Sequence, residues 1–355
     1  MKKVIGKFHL LRDQIRRKLG IIFFDKEPSV ADLSQVKNIL VLRWDAKLGD
    51  SYISSFFFRE IKKLPNVMVK VITTPELKDL YLEGFKADAV HIINKRPKYK
   101  DLKRVANEIG PVDLVVHFTE YMKMKDLYFL SQLDAFNVAS MDDGIKRVNI
   151  NMSQQTNNML FHDKYVYLLE LLSVPNIDES YIIPYSSCLI KHVENPDFVF
   201  NFFGSTEHKS VAIERATTTL IEVIQRYPNL KIGLLSSPNT AKKADLIMGN
   251  VNSNNVFVIK NINTINDAIN VISHAKVVVS VDTSIVHIAS GLKKSTIAIY
   301  PKLKDVFNPW LPPATDQVSV LFSDYEGVNV DVNNYSNEEL IYLLKIKLSH
   351  CNLVS

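Results

Sequence analysis

Short apolar runs alternate with helical stretches along most of the chain, and this alternation restricts the possible folds more than any other feature. The clearest succession occupies residues 256–300. It reads as a strand (256–259), a helix (263–275), a strand (276–281), a helix (283–292) and a strand (295–300). Consecutive parallel strands need a crossover, which is usually a helix, so βαβ units produce this pattern. The sequence therefore predicts an α/β fold with parallel sheets.

The same alternation occurs in both halves of the chain. Further strands are predicted at residues 38–44, 67–74, 86–93, 112–118, 198–203 and 231–238. Helices are predicted at residues 51–64 and 211–226, and residues 121–172 read as more helical than the stretch before them. Each half of the chain therefore contains its own series of βαβ units.

The length of the chain is sufficient for two domains, because 355 residues of which 46% are hydrophobic can build two cores. A segment without clear periodicity, punctuated by prolines from Pro175 to Pro196, is typical of a linker. We expect an N-terminal extension (residues 1–36) followed by domains at residues 37–190 and 191–355.

The composition argues against several classes of protein. Cys188 and Cys351 form neither a disulfide framework nor a metal-ligand spacing, which fits a reducing cytoplasm. No apolar run is long enough to span a bilayer, and the first residues lack the apolar core and cleavage site of a signal peptide. Because no pattern of basic and aromatic residues continues along the chain, nucleic acid is not an expected partner. We expect a protein that is soluble or peripheral to a membrane.

The basic residues are concentrated in the N-terminal extension. Residues 1–27 contain eight basic and three acidic residues, so they hold the whole net charge of +5. Apolar residues are interleaved with these bases in MKKVIGKFHLLRDQIRRKLGIIFF. One interpretation is a basic amphipathic helix that lies on an anionic membrane. The other is a helix that packs on the body of the protein with its charges in water.

Polar residues gather in a loop at the end of the first predicted strand, RWDAKLGDS. Ligands of parallel sheets bind beyond the carboxyl ends of the strands, where helix N-termini present unpaired N–H groups. Asp50 stands at the start of the following helix, either as its N-cap or as a carboxylate that takes a proton from a hydroxyl. Asp45 is a second candidate for the base.

A second loop, GSTEHKS, follows the first strand of the second half. The hydroxyls of Ser205 and Thr206 and the ammonium of Lys209 precede a helix N-terminus, so they are candidates for a diphosphate cradle. The loop is not a Walker sequence because the GK[ST] ending is absent. The alternative is an exposed loop lysine without a ligand.

A third polar group interrupts the apolar junction SVDTSIVHIASG. Asp282, Thr283 and Ser284 are three consecutive candidate caps, and one would be enough to cap the helix. His287 lies on the first turn of that helix. The junction is either a ligand site or a plain cap accompanied by a surface histidine.

Taken in this order, the three loops resemble glycosyltransferase family 9, the heptosyltransferases of the lipopolysaccharide core. The family opens with a loop of the form R-x(several)-G-D, here RWDAKLGD, and has a hydroxyl- and lysine-bearing loop at the head of its second domain, here GSTEHKS. Its most specific signature, S-x-D-[ST]-G-x-x-H-x-A-[AS], reads here as SVDTSIVHIAS. The resemblance covers most of residues 37–345. It implies a GT-B fold, in which two Rossmann-like domains face each other across an interdomain cleft.

The resemblance also implies roles for particular residues. Asp50 corresponds to the base that deprotonates the acceptor hydroxyl. The implied donor-binding residues are Ser205, Thr206, Lys209, Asp282, Thr283, Ser284 and His287. Candidates for contact with the acceptor are Lys47, Lys123 and Lys125.

The sequence departs from the family pattern in its basic N-terminal extension, which lies outside that pattern, and at two places in the motifs. Ser284 replaces the usual glycine of the junction, so the backbone is expected to approach a ligand less closely. Ser236 and Ser237 stand where family members often carry an acid that holds the ribose. Both departures in the motifs concern the recognition of the donor.

The expected function is an inverting, metal-independent and cofactor-free transfer of a heptose from ADP-heptose to the inner core of lipopolysaccharide. Direct attack assisted by one base inverts the sugar and needs no covalent intermediate, and the pair Asp142 and Asp143 resembles a turn more than a metal site. The expected partners are the lipid A–core oligosaccharide and the inner face of the cytoplasmic membrane. The alternatives are a family member that uses another nucleotide sugar and an inactive binding or assembly protein.

Overall fold

The computed structural model describes residues 2–27, 30–185, 196–302, 306–324 and 331–350. Internal contacts divide the chain into two compact units, Met1–Glu179 and Ser180–Ser355, which we call unit 1 and unit 2. Cys188 and Cys351 lie outside the described residues.

Unit 1 contains a six-stranded parallel sheet with the order β3-β2-β1-β4-β5-β6. Its strands are β1 (Asn38–Arg43), β2 (Met68–Thr73), β3 (Ala89–Ile92), β4 (Val112–Val116), β5 (Ala135–Ser140) and β6 (Ile150–Asn151). Its helices are α1 (Lys2–Phe24), α2 (Leu48–Ile53), α3 (Ser55–Glu60), α4 (Tyr99–Ile109), α5 (Met124–Gln132) and α6 (Phe161–Leu171). The central strand β1 is buried almost throughout because helices cover both faces of a parallel sheet.

Unit 2 repeats this topology with the strand order β12-β11-β10-β7-β8-β9, again parallel throughout. Its strands are β7 (Phe198–Asn201), β8 (Ile232–Leu234), β9 (Val256–Val258), β10 (Val277–Val281), β11 (Ser295–Pro301) and β12 (Val318–Ser323). Its helices are α7 (Ile213–Arg226), α8 (Ala241–Val251), α9 (Ile265–His274), α10 (Ser284–Gly291) and α11 (Asn337–His350). The α/β fold with two Rossmann-like units is confirmed.

Residues 121–172, which read as more helical in the sequence, contain α5 and α6, but the prediction missed the strands β5 and β6 between them. The strand β5 reads AFNVAS and lacks a run of β-branched residues. One of its buried positions is occupied by a polar residue, Asn137. The Asn137 amide donates to the carbonyl oxygens of Asp32 and Asp113 at 2.7 and 3.0 Å, which compensates its burial. A buried polar residue with such partners interrupts the run of apolar residues by which a strand is recognised, so the sequence did not predict β5.

The predicted helix at residues 51–64 is interrupted at Ser54, which separates α2 from α3. The hydroxyls of Ser51, Ser54 and Ser55 donate to backbone carbonyl oxygens three or four residues earlier, at 2.7–3.0 Å. Such bonds compete with the helical ladder and bend helices. The prediction of one continuous helix missed this break, because serine is compatible both with a continuous helix and with a break in one.

The helix α1 packs one face on α5. A Cβ atom at Gly20 would lie 3.0 Å from Leu127 Cδ1, so the two helices approach closely there. The Arg17 guanidinium donates to both carboxylate oxygens of Asp142, at 2.6 and 2.8 Å, and to the carbonyl oxygen of Met122 at 2.8 Å. The Asp142 side chain is buried, and Arg17 is largely so. Packing on the body of the protein therefore accounts for one face of the extension.

We expect Arg17→Ala to lower the free energy of unfolding by roughly 3–5 kcal/mol, because it leaves the buried Asp142 carboxylate without its charged partner. The matched control is Arg12→Ala, which removes an exposed ion pair with Asp13 and should cost less than about 1 kcal/mol. Chemical denaturation of the two variants measures the difference. Equal losses in both variants would show that the Arg17 pair does not anchor α1.

Candidate functional site

The predicted loops lie at the two places where the strand order reverses. In unit 1 the chain leaves the adjacent strands β1 and β4 toward opposite sides of the sheet, and in unit 2 it leaves β7 and β10 in the same way. Crevices at such switch points, beyond the carboxyl ends of the strands, are the usual ligand sites of open parallel sheets. The residues expected at the site therefore occupy positions where this fold binds ligands.

In unit 2 the second and third loops meet through an ion pair. Lys209 Nζ lies 2.6 Å from Asp282 Oδ2, and both side chains are partly exposed. The loop after β7 folds back tightly, since a Cβ atom at Gly204 would lie 2.2 Å from the carbonyl oxygen of Lys209. Only glycine fits such an approach without a backbone shift. The tight loop thus brings a cation from the end of β7 to the end of β10.

Thr283 is the N-cap of α10, and its hydroxyl accepts a hydrogen bond from the Ile285 N–H at 3.3 Å. The sequence reasoning missed Asn201, whose side-chain amide donates to Ser280 Oγ at 3.0 Å and to Thr283 Oγ1 at 3.1 Å. Its signal in the sequence is a polar residue that ends the apolar strand FVFN. Asn201 therefore fixes the cap of α10 to the neighbouring strand.

His287 is buried, which excludes the interpretation of a surface histidine. Burial lowers its pKa to about 4, although the Asp282 carboxylate opposes this shift, so the imidazole is neutral near pH 7. Its ring contacts Tyr181 edge-on with centroids 6.1 Å apart. Among the described residues Nδ1 has no hydrogen-bond partner. A buried polar atom without a partner is costly, and a bound ligand is one way to satisfy it.

The remaining donor candidates are more exposed. Ser205 and Thr206 lie on the surface of the loop, where the Thr206 carbonyl oxygen accepts from the Ser210 hydroxyl at 2.9 Å. Ser284 is the first residue of α10. The hydroxyls of Ser205 and Thr206 are therefore accessible to a ligand, while the backbone of Thr206 holds the loop.

In unit 1 Asp50 lies in the first turn of α2, whose N-cap is Lys47, so Asp50 is not the cap. Asp50 Oδ2 is 3.6 Å from Arg43 Nη2 and 3.7 Å from Lys47 Nζ. Arg43 Nη2 also lies 3.5 Å from Asp45 Oδ2. Asp50 is less exposed than Asp45, with 14% against 38% of its side chain accessible. These distances describe a loose cluster of charges rather than closed hydrogen bonds.

The charge of Asp50 depends on opposing effects. Burial raises the pKa of its carboxyl, while the positive charges of Arg43 and Lys47 lower it in part. Arg43 was not among the expected site residues, yet it is buried at the end of β1 beside the candidate base. Within the described part of the chain its Nε and Nη2 atoms have no hydrogen-bond partner. The sequence signal was a cation that ends the strand NILVLR.

Of the three acceptor candidates, Lys47 lies beside Asp50 and is mostly exposed. Lys123 is the exposed N-cap of α5. Lys125 donates to the carbonyl oxygen of Pro97 and lies 5.9 Å from the centre of the Tyr99 ring. The described contacts therefore bring only Lys47 to the candidate base.

Within the described ranges, no group of three or more His, Cys, Asp or Glu side chains is placed to hold a metal ion. The Asp142 carboxylate, one half of the acidic pair noted in the sequence, binds Arg17 and accepts from the Met122 and Gly144 N–H groups. The helices that the structure describes include none with the length and apolar character to cross a bilayer.

Comparison with known proteins agrees with this geometry. Residues 193–339 match the model of glycosyltransferase family 9 (heptosyltransferase). Unit 2 is therefore similar to glycosyltransferase family 9. The resemblance predicted from the sequence is thereby confirmed, and the match includes the ion pair of Lys209 and Asp282. No curated protein sequence matches the chain.

Solved structures extend the likeness to both units. A family 9 glycosyltransferase from Veillonella parvula has a TM-score of 0.66 at 15% identity, over 88% of this chain and 97% of that one. E. coli ADP-heptose lipopolysaccharide heptosyltransferase II scores 0.65 at 13% identity, over 89% and 99%. E. coli heptosyltransferase WaaC with ADP scores 0.62 at 12% identity, over 87% and 99%. Such likeness shows a shared fold, and with the family match it supports a glycosyltransferase.

We expect the Asp50 carboxyl to titrate above the ordinary aspartate pKa of about 3.9, because burial disfavours its charged form. Arg43→Gln should raise the midpoint further, since it removes a positive charge that favours the carboxylate. Arg43→Lys, which keeps the charge, is the matched control and should shift it less. Carbon-13 NMR of labelled aspartate, assigned with Asp50→Asn, measures the midpoints. An unchanged midpoint in Arg43→Gln would contradict this account of the cluster.

Proposed function

We propose that the protein transfers a heptose from ADP-heptose to the inner core of lipopolysaccharide, with inversion at the sugar and without a metal ion. The observation that carries this proposal is the contact of Lys209 with Asp282 at the switch point of unit 2, beside the N-terminus of α10. Two structures that share the fold are E. coli heptosyltransferase WaaC with ADP and with ADP-2-deoxy-2-fluoro heptose. Their ligands motivate the choice of donor.

The donor's diphosphate matches the charges of this site. The Lys209 ammonium and the first N–H groups of α10 are donors for anionic oxygens, and the positive end of the helix dipole adds to their attraction. The exposed hydroxyls of Ser205 and Thr206 supply further hydrogen bonds. Thr283 contributes by holding the first turn of α10 in position through its bonds to Ile285 and Asn201. We therefore assign the diphosphate to this group.

Asp282 and His287 are suited to the uncharged part of the donor. A carboxylate only accepts hydrogen bonds, so Asp282 binds sugar hydroxyls while it also orients the Lys209 ammonium. The neutral imidazole of His287 has one donor and one acceptor nitrogen, and Nδ1 is the atom without a partner among the described residues. Both residues are thus assigned to recognition of the donor's sugar rather than of its charged diphosphate.

Departure of ADP is the step that most needs stabilisation. The bond between the sugar C1 and the diphosphate oxygen breaks, and its electron pair remains on ADP. In the absence of a metal ion the developing charge is stabilised by Lys209 and by the N-terminus of α10, which are fixed before the reaction. The same groups therefore bind the donor and promote its cleavage.

Asp50 is the proposed base. The acceptor hydroxyl oxygen forms the new bond to C1 as its proton passes to the Asp50 carboxylate. Burial makes this carboxylate more basic, and the Arg43 charge keeps it ionised at the working pH. A single attack with one base inverts the sugar. Lys47, Lys123 and Lys125 remain our candidates for contact with the acceptor, a lipid A–core oligosaccharide at the inner face of the cytoplasmic membrane.

A second candidate function is transfer from another nucleotide sugar. It is favoured by Ser236 and Ser237, which follow β8 where an acid for the ribose is expected; Ser237 instead bonds to Thr240 through its N–H at 2.9 Å. A comparison of ADP-heptose with UDP- and GDP-sugars in one assay separates the two candidates. Release of no nucleotide from any donor would favour an inactive binding protein.

We expect Asp50→Asn to lower turnover by roughly 10²–10⁴, because the amide cannot accept the proton. Its binding of ADP should be unchanged, since Asp50 is assigned to the acceptor. Release of ADP from ADP-heptose in the presence of a core acceptor measures turnover. Asp45→Asn is the matched control and should remain active. If Asp45→Asn is the inactive variant instead, the base is Asp45.

We expect Lys209→Ala to weaken the binding of ADP by roughly 1.5–3 kcal/mol, the range for a direct charge-assisted hydrogen bond. Calorimetric titration with ADP measures this loss. Lys231→Ala removes an exposed lysine at the amino end of β8 and should leave the affinity unchanged. Equal affinities of the two variants would return Lys209 to the status of a surface lysine.

A further inference from the structure

The helix α1 has an apolar face that the described residues of unit 1 leave exposed. Its exposed residues and their accessible fractions are Leu11 (55%), Ile15 (51%), Leu19 (41%) and Ile22 (72%). At about 100° per residue these four side chains fall within a strip of roughly 80° along the helix. Arg17 and Gly20, which pack on unit 1, lie on the opposite side. We call the four residues the α1 strip.

This exposure is concentrated. Phe23 is exposed beside the α1 strip and Leu10 on a different face of α1, so six of the eighteen exposed large hydrophobic residues in the described chain lie within residues 10–23. Single exposed apolar residues are normal, whereas a contiguous apolar patch rimmed by polar residues marks an interaction surface. The α1 strip is therefore a candidate docking surface.

The charges around the α1 strip indicate the kind of partner. Arg12 and Arg16 lie along one border and Lys18 along the other, and all three are exposed. Residues 1–27 hold the whole net charge of the chain. Long basic side chains can extend toward phosphates while apolar neighbours enter the acyl region. A second copy of the protein is disfavoured, because a symmetric contact would bring these bases against like charges.

We propose that the α1 strip docks on an anionic bilayer surface, with α1 lying parallel to the membrane plane. The ion pair between Arg17 and Asp142 and the close approach at Gly20 hold the helix on unit 1. The apolar face is thus presented by a folded protein and does not need to form on the membrane. The proposal concerns a different surface from the donor site and does not depend on which sugar is transferred.

Flotation with vesicles tests the docking. The full chain should float with phosphatidylcholine vesicles that contain phosphatidylglycerol, and less with phosphatidylcholine alone or at high salt. The double variant Ile15→Ser/Ile22→Ser should bind the anionic vesicles roughly 10²-fold more weakly, because two large apolar side chains no longer leave water. Arg12→Gln and Lys18→Gln should each weaken binding about fivefold.

Leu246→Ser is the matched control, since Leu246 is an exposed apolar residue of α8 in unit 2. It should bind vesicles as the unchanged protein does. Melting curves of all variants should coincide, because none of these side chains is buried. Deletion of residues 1–27 is a poor substitute, as it also removes Arg17 from Asp142.

Two outcomes would overturn the proposal. One is flotation of the Ile15→Ser/Ile22→Ser variant at the level of the unchanged protein. The other is a dimer in sedimentation that these substitutions dissociate, which would assign the α1 strip to a second copy. The variants should release ADP with a delipidated acceptor at the normal rate. Failure of the docking proposal is therefore distinguishable from failure of the proposed reaction.

Discussion

The parallel pairing of β7 with β10 is the constraint on which the donor site depends. In this register Asn201 lies opposite Ser280, at the last residue of one strand and near the end of the other. The chain then leaves the two strands toward β8 on one side and β11 on the other. The loops after β7 and β10 consequently flank the same gap. A shift of register would separate Asn201 from Thr283 and leave the cap of α10 without its support.

Burial has opposite consequences for the two central titratable groups. It raises the pKa of Asp50 and lowers that of His287, so in both cases it favours the neutral form. The proposed base needs its charge, and cations beside it restore the ionised form. No such compensation is needed for His287, whose proposed role is hydrogen bonding. Burial alone therefore does not determine the proposed role of either residue. The charges beside each residue have to be considered as well.

The sequence predicted the α/β fold because strands such as β1 and β10 are runs of valine, isoleucine and leucine bounded by polar loops. It failed for β5, where Asn137 is buried with its own partners, and at Ser54, where hydroxyl groups interrupt a helix. It also did not identify Arg43 and Asn201 as parts of the sites. Each ends a strand. Asn201 reaches Thr283, far away in the sequence, only because β7 pairs with β10. Arg43 lies beside Asp45 and Asp50, which follow its own strand, but only the fold shows that its side chain is buried next to them.

The two interpretations of the N-terminal segment are not exclusive, because a helix has more than one face. Composition could not separate them, since the residue that anchors α1 is itself a base, Arg17, and the residue that permits close packing is Gly20. A helix made only to pack would place its large apolar residues against α5. Here Leu11, Ile15 and Ile22 point away from that contact. Exposure of large apolar side chains to water is unfavourable. It is therefore the strongest reason to expect a partner surface that covers these residues.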